Sequence, residues 1–387
     1  LQASNELLRQ LKGFLEAGTS VGSRVGLELC DRAFQIFRRE YDRRFGGFGS
    51  APKFPRPSVL HFLLRFYRRT GANEAREMVE GTLAGMARGG IRDHLGGGFH
   101  RYSVDERWFL PHFEKMLYDQ AQLAMAYLEL YELSGEACWA QVARDLLEYV
   151  LRDLRSPEGA FFCAEDADSP DLERPEHKAE GAFYLWRWDE LARWVEPQIL
   201  EKFAYVYGCR PEGNITFDPH GEFGGKNLLF LAREMREAAS RFGTEPSQLE
   251  WEIEQVRARL FEVRQSRPRP HCDDKVLAAW NGLMISALAK AAVVLEERRY
   301  RDAAEQAACF LTERLYEPSA GLMRRYRQGD VAVHAFLDDY AFVSRAMLDL
   351  FEATFEPRWL GWALRLTEQM RERFEDRQAG GFFFAPL

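Results

Sequence analysis

No apolar run in the sequence approaches the roughly 18 residues of a membrane-spanning helix. The opening stretch, Leu1 to Phe14, has a short amphipathic helical pattern without the apolar centre of a secretory signal. It does not begin with Met, which reads as a processed or trimmed chain. Cysteine is sparse: Cys30, Cys138, Cys163, Cys209, Cys272 and Cys309 are far apart, and none forms a Cys-x-x-Cys. That spacing excludes a dense disulfide scaffold and fits a reduced, cytoplasmic protein. Cys30, Cys138 and Cys309 fall in helical patterns and read as buried small hydrophobes. An excess of positive charge is also missing. The 52 Lys and Arg residues face 60 Asp and Glu, a net charge of -8, which disfavours nucleic acid as a partner. Phosphate-loop, dinucleotide and Ser-nucleophile signatures are absent. Gly46-Gly47-Phe48-Gly49 leads into a proline loop and not into a phosphate-binding helix, so no cofactor is expected.

Helical periodicity is what the chain has in abundance. It predicts helices over 3–16, 24–42, 58–70, 73–88, 113–133, 136–153, 188–195, 198–207, 226–238, 248–263, 275–295, 298–315, 336–354 and 357–375. Gly181 to Trp186 reads as a short strand. A turn recurs after long helices: Gly47-Phe48, Gly98-Phe99, Gly159 to Phe162, Gly321 to Met323 and Gly381-Phe382. Asp119 to Trp139 also superposes on Asp339 to Trp359 at a fixed offset. Two helices plus a short hairpin per unit imply a helical-repeat architecture. The long polar loops all precede the same helix of the unit, which favours a closed ring with the loops at one end of a cavity.

Polar and aromatic chemistry concentrates in residues 90–120. His94, His100 and His112 stand there beside Arg101, Tyr102, Glu114, Tyr118 and Asp119. A histidine near neutral pH can donate or abstract a proton; equally, His112 and Glu114 fit a helix start. The spacing of the three histidines matches no compact metal pattern, and no metal is expected. Further candidates are Glu165 and Asp166, which could serve as paired carboxylates on a glycosidic bond. Asp273 and Asp274 read as caps of the helix at 275–295, with Trp280 and Asn281 as a sugar platform one to two turns on. Asp338, Asp339 and Tyr340 repeat the device.

The segments Gly49–Pro57, Gly90–Gln120, Glu180–Trp186, Arg267–Gly282 and Phe336–Tyr340 resemble the DUF255, or YyaL-like, family, whose members are called spermatogenesis-associated protein 20-like. The resemblance implies an all-α fold. It would be an (α/α)6 toroid of six hairpins with short β-hairpins between helices, akin to N-acylglucosamine 2-epimerases and six-hairpin glycosidases. It implies a single domain over 1–387, with 1–22 as a lead-in helix and the last hairpin incomplete. Members usually carry a thioredoxin-like domain with a Cys-x-x-Cys, which this sequence lacks.

The expected function is an enzyme of sugar epimerase or isomerase type acting on a small carbohydrate. His112, with His94 or His100, would move the proton. Arg101, Tyr102, Glu114, Tyr118, Asp119, Glu165, Asp166, Asp273, Asp274, Trp280, Asn281, Asp338, Asp339 and Tyr340 would bind the substrate. The alternatives are a glycoside hydrolase using paired carboxylates, and a non-enzymatic module serving a thioredoxin-like partner through an apolar patch near residues 1–25.

Overall fold

The computed structural model describes residues 26–386 except 172, 173, 175, 217, 219 and 220, together with Arg9. Arg9 apart, the helix expected over 3–16 and the patch expected near residues 1–25 lie outside the described residues. Helix α1 (Glu28–Glu40) precedes two helix pairs, α2 (Pro57–Thr70) with α3 (Asn73–Arg88) and α4 (Leu117–Ser134) with α5 (Ala137–Tyr149). A separate group follows: α6 (Trp188–Trp194), α7 (Pro197–Tyr207), α8 (Met235–Phe242) and α9 (Pro246–Gln265). Two more pairs close the described chain, α10 (Ala278–Val294) with α11 (Arg298–Arg314) and α12 (Leu337–Thr354) with α13 (Pro357–Phe374).

The inner helices lie side by side in the order α2, α4, α10, α12, each backed by its partner. This is an (α/α) toroid-like arrangement with short antiparallel hairpins in the connections. The sequence explains the layering. Helices α4 and α10 are apolar on nearly every face (AAWNGLMISALAKAAVV in α10), and such helices are stable only when surrounded. Outer helices such as α11 and α13 keep a charged face to solvent. The inner helices start at one end of the molecule. Tyr118 and Trp280, both in first turns, meet edge to face at 4.7 Å, and Ala279 N–H donates to Asp339 Oδ1 at 3.0 Å. Contact between α10 and α12 is backbone to backbone: a Cβ on Gly282 would stand 2.8 Å from the carbonyl carbon of Phe342.

The recurring turn is a structural unit. Residues six or seven apart close it by antiparallel bridges: Tyr41 with Phe48, Arg92 with Phe99, Arg155 with Phe161, Tyr316 with Leu322, and Glu375 with Phe382. An inner-helix side chain then locks the turn. Gln120 accepts from Phe99 N–H at 2.9 Å and donates back to Phe99 O at 2.7 Å. Asn281 does the same for Phe161, at 2.8 and 3.0 Å. At the next copy the Tyr340 hydroxyl accepts from Leu322 N–H at 3.0 Å. Removing such an amide strands two buried backbone groups. Gln120→Ala and Asn281→Ala are therefore each expected to cost about 1–3 kcal/mol. Urea unfolding of each single variant reads the loss; no loss in either would show that water replaces the clamp.

Several element boundaries differ from the periodicity. The helix expected from 113 begins at Leu117, because Lys115-Met116 pairs with Ala164-Glu165. The helix expected from 275 begins at Ala278, because Val276-Leu277 pairs with Tyr326 and Arg325. Asp273 and Asp274 therefore do not cap it; Asp273 pairs with Ala164 in a strand. Gly181 to Tyr184 is a turn, and only Trp186-Arg187 is extended, paired with Lys226-Asn227. That pairing displaces the helix expected over 226–238 to α8. Cys138 is exposed, and Cys30 and Cys309 are half-buried, so these three are not the core cysteines; Cys163 and Cys209 are.

Helices α6 to α9 build their own apolar core around Trp186, Phe203 and Leu260. A charged bolt ties them to the ring. Arg264 at the end of α9 donates to both oxygens of Asp93 at 2.8 Å, and Lys115 donates to Asp93 Oδ2 at 2.9 Å. All three are buried.

Candidate functional site

The site begins with a hairpin. Tyr102 pairs with His112 and Ser103 with Pro111 across its base. The chain is extended at His112, which therefore caps no helix. Extension sends alternate side chains to one face, and His112 and Glu114 end up together. His112 Nδ1 is 2.7 Å from Glu180 Oε1 and its Nε2 is 3.2 Å from Glu114 Oε2. Arg101 Nη1 holds the same Glu114 oxygen at 2.7 Å. The Tyr102 ring stacks on the imidazole at 5.1 Å, and Phe54 stacks on Tyr102 at 4.7 Å. The result is a half-open chain of alternating charge: Arg101, Glu114, His112, Glu180.

The hydrogen bond to Glu180 raises the His112 pKa, outweighing the opposing effect of burial, with Glu114 adding to the rise. A histidine whose folded pKa exceeds its unfolded value stabilises the fold fully below about 6.5, and that contribution is lost as pH rises through the folded value. The stability lost on His112→Gln should accordingly be larger at pH 6 than at pH 9 in urea titrations. An equal loss at both would mean that the imidazole is neutral throughout.

Asp119, in the first turn of α4, sits deeper. It is 6% exposed, and its Oδ2 forms no hydrogen bond among the described residues. Burial pushes its pKa up to about 7; Arg101 pulls it down and Glu114 pushes it further up. Its neighbour Tyr118 lies in the field of the Arg101 guanidinium and packs on Trp280. Asp168 lies across the hairpin from Glu180. Burial, then Asp166, then Glu180 raise its pKa, while Lys178 and, less strongly, His112 lower it.

Arg101, Tyr102, His112, Glu114, Tyr118, Asp119 and Trp280 are thus brought together. Others named from the sequence have different surroundings. His94 is buried with Nε2 2.9 Å from Gly89 O, and His100 is buried with Nδ1 3.0 Å from Phe113 O. Burial lowers both to a pKa of about 3, so they are neutral packing residues bound to backbone. Glu165 is buried and accepts from the Tyr149 hydroxyl at 2.7 Å, and Asp166 N–H donates to His271 O at 2.9 Å. Asn281 and Tyr340 hold the turns described above. Asp339 is fully buried and accepts from Ala279 N–H, Phe336 N–H and Arg324. Asp338 pairs with Arg324, Asp273 with Lys275, and Asp274 with Arg327. Among the described residues no three His, Cys, Asp or Glu side chains gather as metal ligands, and no helix is long and apolar enough to cross a membrane.

Sequence reasoning gave no role to Glu180 or Lys115. Glu180 stands 68 residues from His112 and reaches it only through the Asp168–Glu180 hairpin. Its one visible signal was a place at the head of the Glu180–Trp186 segment.

Comparison with known proteins bears on the fold and on descent. No family model matches the chain. Spermatogenesis-associated protein 20 of Homo sapiens is 42% identical over 377 residues, covering 91% of this chain and 48% of that protein. The chain thus spans about half the length of the curated relatives it matches. A family 76 glycoside hydrolase (mannosidase) of Bacteroides thetaiotaomicron superposes with a TM-score of 0.52 at 9% identity, covering 92% of this chain and 76% of the other. A second family 76 structure from that organism, an α-mannanase, gives 0.50 at 10% identity, with 90% and 71% covered. At such identities the likeness is one of fold.

Proposed function

Since the chain is homologous over nine-tenths of its length to spermatogenesis-associated protein 20, we propose that this half of the family's chain is a carbohydrate-active unit. Its site would move a proton on a sugar, as an epimerase or isomerase does. The observation that carries this reading is the buried Asp119 carboxyl, one oxygen of which has no hydrogen bond among the described residues, beside the Arg101–Glu114–His112–Glu180 chain and the Tyr118–Trp280 pair. A carboxyl poised near neutrality takes and returns a proton with little free-energy penalty. His112, with carboxylates at both ring nitrogens, serves as the cationic partner that orients Glu114 and Glu180. Trp280 and Tyr118 offer an apolar face to a pyranose, and Arg101 and Tyr102 offer donors to its hydroxyls.

A second reading, glycoside hydrolysis, draws on the fold shared with the family 76 structures and on two carboxyls of unlike surroundings. Asp119 would be the acid, and Glu114, between Arg101 and His112, the base. One experiment tests both. The protein is incubated in D2O with a panel of free aldoses, ketoses and α-linked disaccharides, and followed by proton NMR. Exchange at the carbon next to the carbonyl supports proton transfer, and release of reducing ends supports hydrolysis. Neither signal across the panel would remove the enzymatic reading.

A further inference from the structure

A cleft of about 660 Å³ opens between the loop that follows α3, helix α7 and helix α8, a size typical of small-molecule sites. Its floor is aromatic: Phe109 and Phe230 meet edge to face at 4.9 Å. Phe230 lies so close on Gly208 that a Cβ there would stand 2.4 Å from its ring. One wall is Tyr205, with Arg241 at 5.0 Å from its ring centre and Arg233 at 5.6 Å. Arg107 and Arg210 complete the basic lining. Arg233 is shared with Glu237 at 3.4 Å. Arg107, Arg210 and Arg241 are exposed and pair with no carboxylate among the described residues. Glu201 is the acid on the wall. Four guanidinium groups on one cleft run against a chain whose net charge is -8.

We propose that this cleft binds a nucleotide. Guanidinium groups recognise phosphate through paired N–H donors and stack on aromatic rings. A planar base would lie on the Phe109–Phe230 floor, the phosphates would meet Arg107, Arg210 and Arg241, and Glu201 would accept from ribose hydroxyls. A bare phosphate would leave the apolar floor uncovered, and an apolar ligand would leave the arginines without a counter-ion. Arg107 and Phe109 belong to the hairpin whose base carries Tyr102 and His112, so an occupant would touch the element that bears His112. The assignment is independent of the chemistry proposed there.

The test is isothermal titration of the full chain with ATP, inorganic tripolyphosphate and adenosine, repeated on the R210A/R241A double variant. Both arginines are exposed and outside any ion pair among the described residues, so circular dichroism and thermal unfolding should match the wild type. ATP is expected to bind saturably, with tripolyphosphate and adenosine each at least tenfold weaker, and the double variant at least tenfold weaker for ATP. Absence of saturable ATP binding would overturn the proposal, as would an affinity unchanged in R210A/R241A. Tripolyphosphate binding as tightly as ATP would show a plain polyanion patch and overturn the nucleotide assignment.

Discussion

Asp93→Ala is expected to destabilise the protein by about 3–5 kcal/mol, the range for breaking a buried ion pair from one side. Asp93 is buried and accepts from Arg264, Lys115 and the backbone of Leu95 and Gly96. Burial works against its charge, but Arg264 and Lys115 outweigh burial and hold its pKa well below the usual carboxylate value. Its removal would leave two cations in the interior, Lys115 facing the rings of Tyr149 and Tyr184 at 4.2 and 4.9 Å. Total stability of a folded domain is commonly about 5–15 kcal/mol, so this one change takes a large share. Arg264→Met is expected to cost less, because Lys115 still neutralises Asp93. Urea denaturation followed by far-ultraviolet dichroism reads both. A loss below about 1 kcal/mol for Asp93→Ala would mean that water or a counter-ion reaches the cluster. Because Arg264 ends α9 and Asp93 precedes α4, the α6–α9 group should also lose its protection from proteolysis first.

Asp119→Asn carries the largest expected effect on activity. If Asp119 is the acid/base group, kcat should fall by about 10²- to 10⁴-fold with little change in KM. In the wild type an inflection should appear near pH 7, where burial places this carboxyl. Activity falling above that pH marks Asp119 as the acid; activity falling below it marks the base. Stability supplies a readout that does not depend on knowing the substrate. A carboxyl whose pKa is raised on folding binds its proton more tightly in the folded state, so its contribution to stability falls as pH rises from about 4 through 7. The Asn variant cannot ionise. It should therefore be more stable than wild type at pH 8 and gain little at pH 4. Stability gained with activity lost is the signature of a functional group held in an unfavourable place. An Asn variant that is less stable at pH 8 and fully active would assign Asp119 to packing.

Much of the fold was legible because it repeats. The recurring glycine turns mark five antiparallel closures, and the paired amphipathic helices between them allow few arrangements. Helices α4 and α10 announce their inner position by being apolar on nearly every face. Boundaries were less legible. Lys115-Met116 and Val276-Leu277 continue a helical pattern in sequence, yet each is drawn out by a strand partner far along the chain. Periodicity measures which side of a segment is apolar, and it carries no information about a distant backbone in need of hydrogen bonds.

The candidate site divides along the same line. The sequence alone placed Arg101, Tyr102, His112, Glu114, Tyr118 and Asp119 within one stretch, and the helix register brought Trp280 to Tyr118. Which of three nearby histidines could be charged was decided by tertiary structure. His94 and His100 are as close in sequence as His112, but packing removes water from both and leaves only a backbone carbonyl to bond. His112 instead meets Glu180, brought in by a hairpin 68 residues away. Likewise, nothing local distinguishes Asp119 from Asp339, which holds the same register at the other helix start. Asp339 finds two backbone N–H groups and Arg324, whereas one oxygen of Asp119 finds no hydrogen bond among the described residues. Residue type and period are written along the chain; desolvation and charge pairing depend on distances in space, and only the packed fold sets those.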